Sequence, residues 1–262
     1  MHAHRLQDSP WVHTRPLPGA RLRLFCFPFA GGSAGSFMPW SQALAPDIQL
    51  CAIQLPGRGA RFGEPPIQDF VTLIEQLGQV IAHHDDLPYA FFGHSLGALA
   101  AFELAHHCVR RGLARPRHLF VSASGAPRHR VGAPRYDLLS DRELVDKLRD
   151  YAGTPPAVLA NQELMALLLP AIRADFALLG SYRYQPRPRL DVPMSVLAGY
   201  DDAHVGEETL RDWQTETSTG CELHGFDGGH FFPFERPQAV LELVRGRLGS
   251  RVANPGFAEL IP

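Results

Sequence analysis

The chain has 262 residues, 45% of them hydrophobic and 20% charged, with a formal net charge of −2. That length suffices for one large α/β domain with a substantial core, and the near-neutral balance gives no electrostatic reason to expect nucleic acid or an anionic membrane as a partner. No apolar run approaches the ~20 residues that a membrane-spanning helix needs, and the N-terminus, Met1-His2-Ala3-His4-Arg5-Leu6, lacks the apolar core of a secretion signal, so the cytoplasm is the expected compartment.

Strand and helix signals alternate from residue 21 onward. Residues 21–27 read as a strand stopped by Pro28, residues 37–45 as a short helix, and residues 48–53 as a second strand stopped by Leu55-Pro56-Gly57. Over 69–83, Phe70, Leu73, Ile74, Leu77, Val80 and Ile81 fall on one helical stripe. A strand over 89–92, a helix over 95–111 and a strand over 119–123 follow. Continuous apolar strands separated by helices predict an α/β fold with a mostly parallel central sheet covered by helices on both faces.

Residues 127–188 hold no convincing strand. They open on a Pro/Arg/Gly-rich loop, continue into a helix behind the capping box Ser140-Asp141-Arg142-Glu143, and reach a long apolar helix over 162–179 that Pro170 should kink or divide. Helices inserted there lie on the side where the crevices of such sheets bind ligands. They predict a lid over about 127–188 within a single domain of residues 1–262; plain core packing is the alternative. Strands resume at 192–198 and 221–226, helices at 207–217 and 236–248, and 250–262 reads as a loosely ordered tail.

Between the strand over 89–92 and the helix behind it stands Gly93-His94-Ser95-Leu96-Gly97. G-x-S-x-G at a strand-to-helix turn is the nucleophile elbow, which thrusts its serine hydroxyl out to where a base and a substrate can reach it. A serine hydroxyl needs such a base, and His230 stands out among thirteen histidines. It lies in the glycine-rich loop Asp227-Gly228-Gly229-His230-Phe231-Phe232, between the last predicted strand and the last helix. His94, although adjacent to Ser95, should point away from the hydroxyl and pack under the elbow. The carboxylate that orients the imidazole follows the serine and precedes the histidine in this architecture. Asp202 is the candidate, with Asp201 the runner-up, just past the strand over 192–198. Oxyanion donors are expected from the backbone N–H of Leu96 and from the loop Phe27-Pro28-Phe29-Ala30-Gly31-Gly32-Ser33, where the Ala30 N–H is the candidate. The four cysteines form no C-x-x-C pair and read as free thiols. His106-His107-Cys108 does not present its side chains to one face of a helix, and no metal site is expected.

The pieces Phe27-Pro28-Phe29-Ala30-Gly31-Gly32-Ser33, Leu55-Pro56-Gly57-Arg58, Gly93-His94-Ser95-Leu96-Gly97-Ala98, Leu169-Pro170-Ala171-Ile172-Arg173-Ala174-Asp175-Phe176 and Gly228-Gly229-His230-Phe231-Phe232 occur in that order over most of the chain. This set resembles the stand-alone type II thioesterases of polyketide and non-ribosomal peptide biosynthesis, within the α/β-hydrolases. The resemblance implies an α/β-hydrolase fold with a helical lid and hydrolysis of acyl thioesters from the phosphopantetheine arm of carrier proteins. Acyl and peptidyl carrier protein domains would be the partners. No cofactor is implied beyond the partner's pantetheine arm, and the protein would act as a monomer. Carried over by position, Ser95, Asp202 (or Asp201) and His230 would be catalytic and Ala30 would supply the second oxyanion donor. Ala203 stands where the family often has a proline. Taken alone, the residues specify acyl-transfer hydrolysis without separating thioester from ester, so a small-molecule carboxylesterase or lipase-like hydrolase is the alternative function.

Overall fold

The computed structural model of the chain describes residues 9–84, 86–130 and 134–252, without the side chains of 250–252. In chain order the elements are β1 (Val12–Thr14), β2 (Leu22–Phe27), α1 (Ser41–Leu44), β3 (Ile48–Ile53), α2 (Phe70–Ala82), β4 (Tyr89–His94), α3 (Leu96–Arg110), β5 (Leu119–Ser122), α4 (Asp141–Tyr151), α5 (Pro156–Ala160), α6 (Gln162–Ser181), β6 (Met194–Gly199), α7 (Glu207–Arg211), β7 (Cys221–Phe226), α8 (Phe232–Glu235) and α9 (Pro237–Val252). The strands form one sheet in the order β1-β3-β2-β4-β5-β6-β7. Among the described residues, β1 alone runs antiparallel to its neighbour.

The interior strands are apolar at successive positions because both faces of the sheet are covered. Side chains alternate across a strand, so Phe25 and Phe27, Tyr89 and Phe91, Leu119 and Val121, and Met194 and Val196 enter one core with α2 and α3. Their neighbours Leu24 and Cys26, Ala90 and Phe92, Phe120 and Leu197 enter a second core with α1 and α9. On α2 the six stripe residues are buried. Asp69 starts that helix by accepting the Thr72 N–H at 2.8 Å.

Helices α4, α5 and α6 build a third apolar cluster from Leu144, Leu148, Leu159, Met165, Leu169, Ile172 and Phe176. The capping box at Ser140 and Glu143 is formed. Of the two effects expected of Pro170, division does not occur: helix α6 runs through it without a break. The missing Pro170 N–H frees the carbonyl of Ala166; both residues are exposed, so water can replace the lost partner. Helix α6 also bears on the reading that no apolar run nears membrane-spanning length, because among the described residues it is long and apolar enough to cross a membrane. Half of that stretch is buried within the protein. Of the helix's three charges, Glu163 lies in the first turn, and the other two are spent on ion pairs within the chain, Arg173 with Asp141 and Asp175 with Arg58. The helix expected over 207–217 is α7 followed by a 3-10 turn over Asp212–Thr215. The last helix extends to Val252, so the expected loose tail begins inside it, and residues 253–262 lie outside the described ones.

Candidate active site

Strand β4 lies between β2 and β5, and Ser95 occupies the turn from β4 into α3. Its backbone sits at φ 54°, ψ −113°, a conformation costly for a residue with a side chain. The turn is held by the Ser95 N–H donating to the Ser122 carbonyl at 2.8 Å. The flanking glycines make it sterically possible. A Cβ on Gly93 would stand 2.1 Å from the Gly97 carbonyl oxygen, and one on Gly97 would stand 2.0 Å from the Phe27 carbonyl oxygen. Although Ser95 occupies the N-cap position of α3, its side chain caps nothing. Its hydroxyl is left for other work.

The β7–α8 loop brings His230 against Asp202 from the end of β6. Nδ1 of His230 lies 2.8 Å from Oδ2 of Asp202. A carboxylate can only accept, so Nδ1 carries the proton, which leaves Nε2 of the neutral ring as the basic nitrogen. Asp202 is fixed in turn by the His204 N–H, which donates to its Oδ1 at 2.9 Å. The two side chains are 5% and 2% exposed, His230 and Asp202 respectively, whereas Asp201, the runner-up, is exposed. Of the two adjacent carboxylates, Asp202 is the one that meets the imidazole. His94 is fully buried, with Nδ1 3.0 Å from the Ser122 hydroxyl and its ring 5.1 Å from Phe234 and 5.3 Å from His230. Burial, and then the neighbouring His230, holds its pKa well below the ordinary histidine range.

Ser95 and His230 line one cavity of about 280 Å³. The loop after β2 contributes Ala30, Gly31 and Gly32 to its wall, and α6 contributes Met165, Leu168, Ile172 and Phe176. Among the described residues, neither the Ala30 nor the Leu96 N–H donates to a protein acceptor. At the end of α4, Tyr151 packs 4.1 Å from His204 and 5.1 Å from His230 between ring centroids.

Sequence reasoning assigned no role to the pair that ties the helical insertion to this loop. Arg58 grips Asp175 of α6 with both terminal nitrogens, Nη2 donating to Oδ1 at 2.6 Å and Nη1 to Oδ2. Nη1 also donates to the Gly32 carbonyl at 3.2 Å, and the Gly31 N–H donates to Oδ2 of Asp175 at 2.7 Å. The side chains are 8% and 1% exposed. One helical turn earlier, Ile172 closes the other side: a Cβ on Gly31 would lie 3.1 Å from it. Arg58 and Asp175 are 117 positions apart, too far for spacing to reveal them, although each lies in one of the motif pieces quoted above.

Among the described residues no group of three or more His, Cys, Asp or Glu side chains is placed to hold a metal ion. His106 packs its ring 4.7 Å from Phe102, and the four cysteines are free thiols.

A mostly parallel sheet with a serine on the elbow after a central strand, and a histidine in the loop after the last, defines an α/β-hydrolase. Within that class the chain belongs to the thioesterase domain family, whose model matches residues 22–248. It is 38% identical over 239 residues to the gramicidin S biosynthesis protein GrsT of Aneurinibacillus migulanus, a match covering 91% of this chain and 93% of that protein. Among solved structures it is similar to the type II thioesterase BorB from the borrelidin biosynthetic cluster, at 40% identity and a TM-score of 0.84 over 91% of this chain and 97% of that one. It is also similar to the thioesterase RedJ from the prodiginine pathway of Streptomyces coelicolor, at 36% identity and a TM-score of 0.81 over 87% and 86%. Thioester hydrolysis is the chemistry of this family.

Proposed function

We propose that this chain releases acyl groups from the phosphopantetheine arm of acyl and peptidyl carrier proteins, with Ser95 as nucleophile, His230 as general base and Asp202 as the group that orients it. The observation that carries this reading is the His230–Asp202 pair beside the cavity that Ser95 also lines. Ser95 Oγ attacks the thioester carbonyl while Nε2 of His230 takes its proton. Asp202 stabilises the imidazolium that forms. The tetrahedral oxyanion is met by the N–H groups of Ala30 and Leu96. The C–S bond then breaks and the pantetheine sulfur leaves with the proton from His230. Water attacks the acyl-serine, giving its proton to His230, and the free acid departs as Ser95 recovers its hydrogen. The helices over 127–188 act as the lid of a single catalytic domain. Their apolar lining suits an acyl chain, no cofactor enters any step, and four free thiols fit a reducing cytoplasm. Carrier partners fit the relatives, which include a protein of gramicidin S biosynthesis and a type II thioesterase of a borrelidin cluster.

The test is the rate of hydrolysis of one acyl group presented on a carrier protein and on free pantetheine. Faster turnover of the carrier-bound form, abolished in Ser95→Ala, is expected. Equal rates on both would remove carrier recognition, and strong turnover of simple esters with little thioester cleavage would favour a small-molecule esterase.

A further inference from the structure

The cavity of Ser95 and His230 has a neighbour of about 250 Å³, and Arg130, Tyr151, Phe176, Leu179, His204 and Val205 form walls of both. Arg130 is the one cation on that shared wall apart from the titratable His204. It is half-buried, and the two cavities are what it lines. Its recorded hydrogen bond runs to an uncharged group, Nη2 donating to the Ser124 hydroxyl at 3.3 Å. Among the described residues no carboxylate lies within ion-pair distance of it. The three residues that follow it, Val131-Gly132-Ala133, carry no acidic side chain.

The molecule treats its other buried guanidinium groups differently. Arg23 is paired with Asp86, Arg58 with Asp175, Arg61 with Glu64 and Arg187 with Glu103. A charge withdrawn from water is costly unless an opposite charge meets it. Arg130 instead shares a cavity wall with the uncharged phenols Tyr136 and Tyr151, and burial pulls its pKa down. A guanidinium remains charged nonetheless, and its planar fork suits carboxylate and phosphate oxygens.

From this we infer that Arg130 is an anion subsite of the substrate cavity, binding an anionic oxygen group carried by the thioester itself. This rests on the reading of the Ser95 cavity as the acyl-thioester site. Two parts of such a substrate can supply the anion: a second, free carboxylate on the acyl group, as in a dicarboxylic acyl thioester, or the phosphate of the pantetheine arm.

Four substrates separate the sources: a neutral acyl group and a dicarboxylic acyl group of matched chain length, each on pantetheine and on phosphopantetheine. Wild-type protein should show a higher kcat/KM for one anion-bearing form than for its neutral counterpart. In Arg130→Met that ratio should fall roughly 10- to 100-fold, the worth of one charge-assisted hydrogen-bonded pair, and Arg130→Lys should restore part of it. A fall confined to the acyl-carboxylate comparison assigns the subsite to the acyl chain; one confined to the phosphate comparison assigns it to the arm. A wild-type protein with no preference between charged and neutral forms overturns the inference, whether or not the variants fold. So does a ratio within about twofold of wild type in Arg130→Met. Turnover of the neutral acyl-pantetheine that vanishes in Ser95→Ala keeps the catalytic reading intact in either case, and wild-type protein that cleaves none of the four overturns both.

Discussion

Removing the Arg58–Asp175 pair whole should cost less than the sum of breaking it from either side. In Arg58→Met the Asp175 carboxylate, 1% exposed, keeps the Gly31 N–H but loses both guanidinium contacts. In Asp175→Leu the Arg58 guanidinium keeps the Gly32 carbonyl alone. An uncompensated buried charge costs about 3–5 kcal/mol. For a chain of this size each kcal/mol lowers the melting temperature by about 2–4 °C, so each single variant should melt roughly 6–20 °C below wild type. The double variant leaves no buried charge, only the Gly31 N–H without its acceptor and the Gly32 carbonyl without its donor, at about 1–3 kcal/mol each. Independent losses would sum to about 6–10 kcal/mol against about 2–6 kcal/mol for the double, so the expected coupling is about 4 kcal/mol at the midpoints. Urea unfolding of the four proteins measures it. Activity provides a second axis. Gly31 adjoins Ala30, the proposed second oxyanion donor, so the double variant should keep more stability than the summed losses leave and still turn over slowly, because the loop after β2 has lost its anchor on α6. A double variant whose destabilisation equals the sum of the singles, or whose kcat matches wild type, would refute the reasoning.

Asp202→Ala should depress thioester turnover to the level of His230→Ala, while Asp201→Ala should stay close to wild type; steady-state kinetics on one acyl thioester decides, and equal effects at 201 and 202 would contradict the geometry. Gly97→Ala drives a Cβ to within 2.0 Å of the Phe27 carbonyl, so it should cost at least about 1–3 kcal/mol and reduce turnover through displacement of the β2 loop. Wild-type stability and rate would count against that account of the elbow. Acid sensitivity has a histidine component. Burial, then Arg187 and Arg110, push the His106 pKa down to about 3, and burial pushes His94 down likewise. Both ordinarily titrate at 6.5. Below that value the unfolded chain gains protons that the folded chain refuses, so stability is full above it and declines as the pH falls. Denaturation at about pH 7.5 and about pH 5 should show the loss, and His106→Phe should reduce the slope; an unchanged slope would remove His106 from the account.

The sheet was legible where the physics is local. Strands β2, β3, β4 and β5 lie where largely apolar runs end at proline, glycine or polar residues, because a strand covered on both faces has little room for polar positions; β7, at the sheet edge, carries Glu222 and His224 and has no buried residue. Strand β1 escaped notice. Its three residues are too few for a pattern, and it exists because Val12, His13 and Thr14 find partners in Ile53, Ala52 and Cys51. Ser95 and His230 were readable because an elbow and a glycine-rich loop have sequence signatures. The choice between Asp201 and Asp202 was harder, since neighbouring residues of the same type differ only in which way the turn after β6 aims them. Arg130 looked like part of a polar loop, and only the cavities around it distinguish that arginine from a surface one.

Tyr151 belongs to the helical insertion, yet its ring packs 5.1 Å from that of His230, which the loop after the last strand carries. The segment that walls the cavity beside Ser95 therefore also packs on the ring of His230. Exchanging that segment between relatives to alter chain-length preference would carry a hidden cost in rate unless the aromatic ring at 151 travelled with a matching residue at 204.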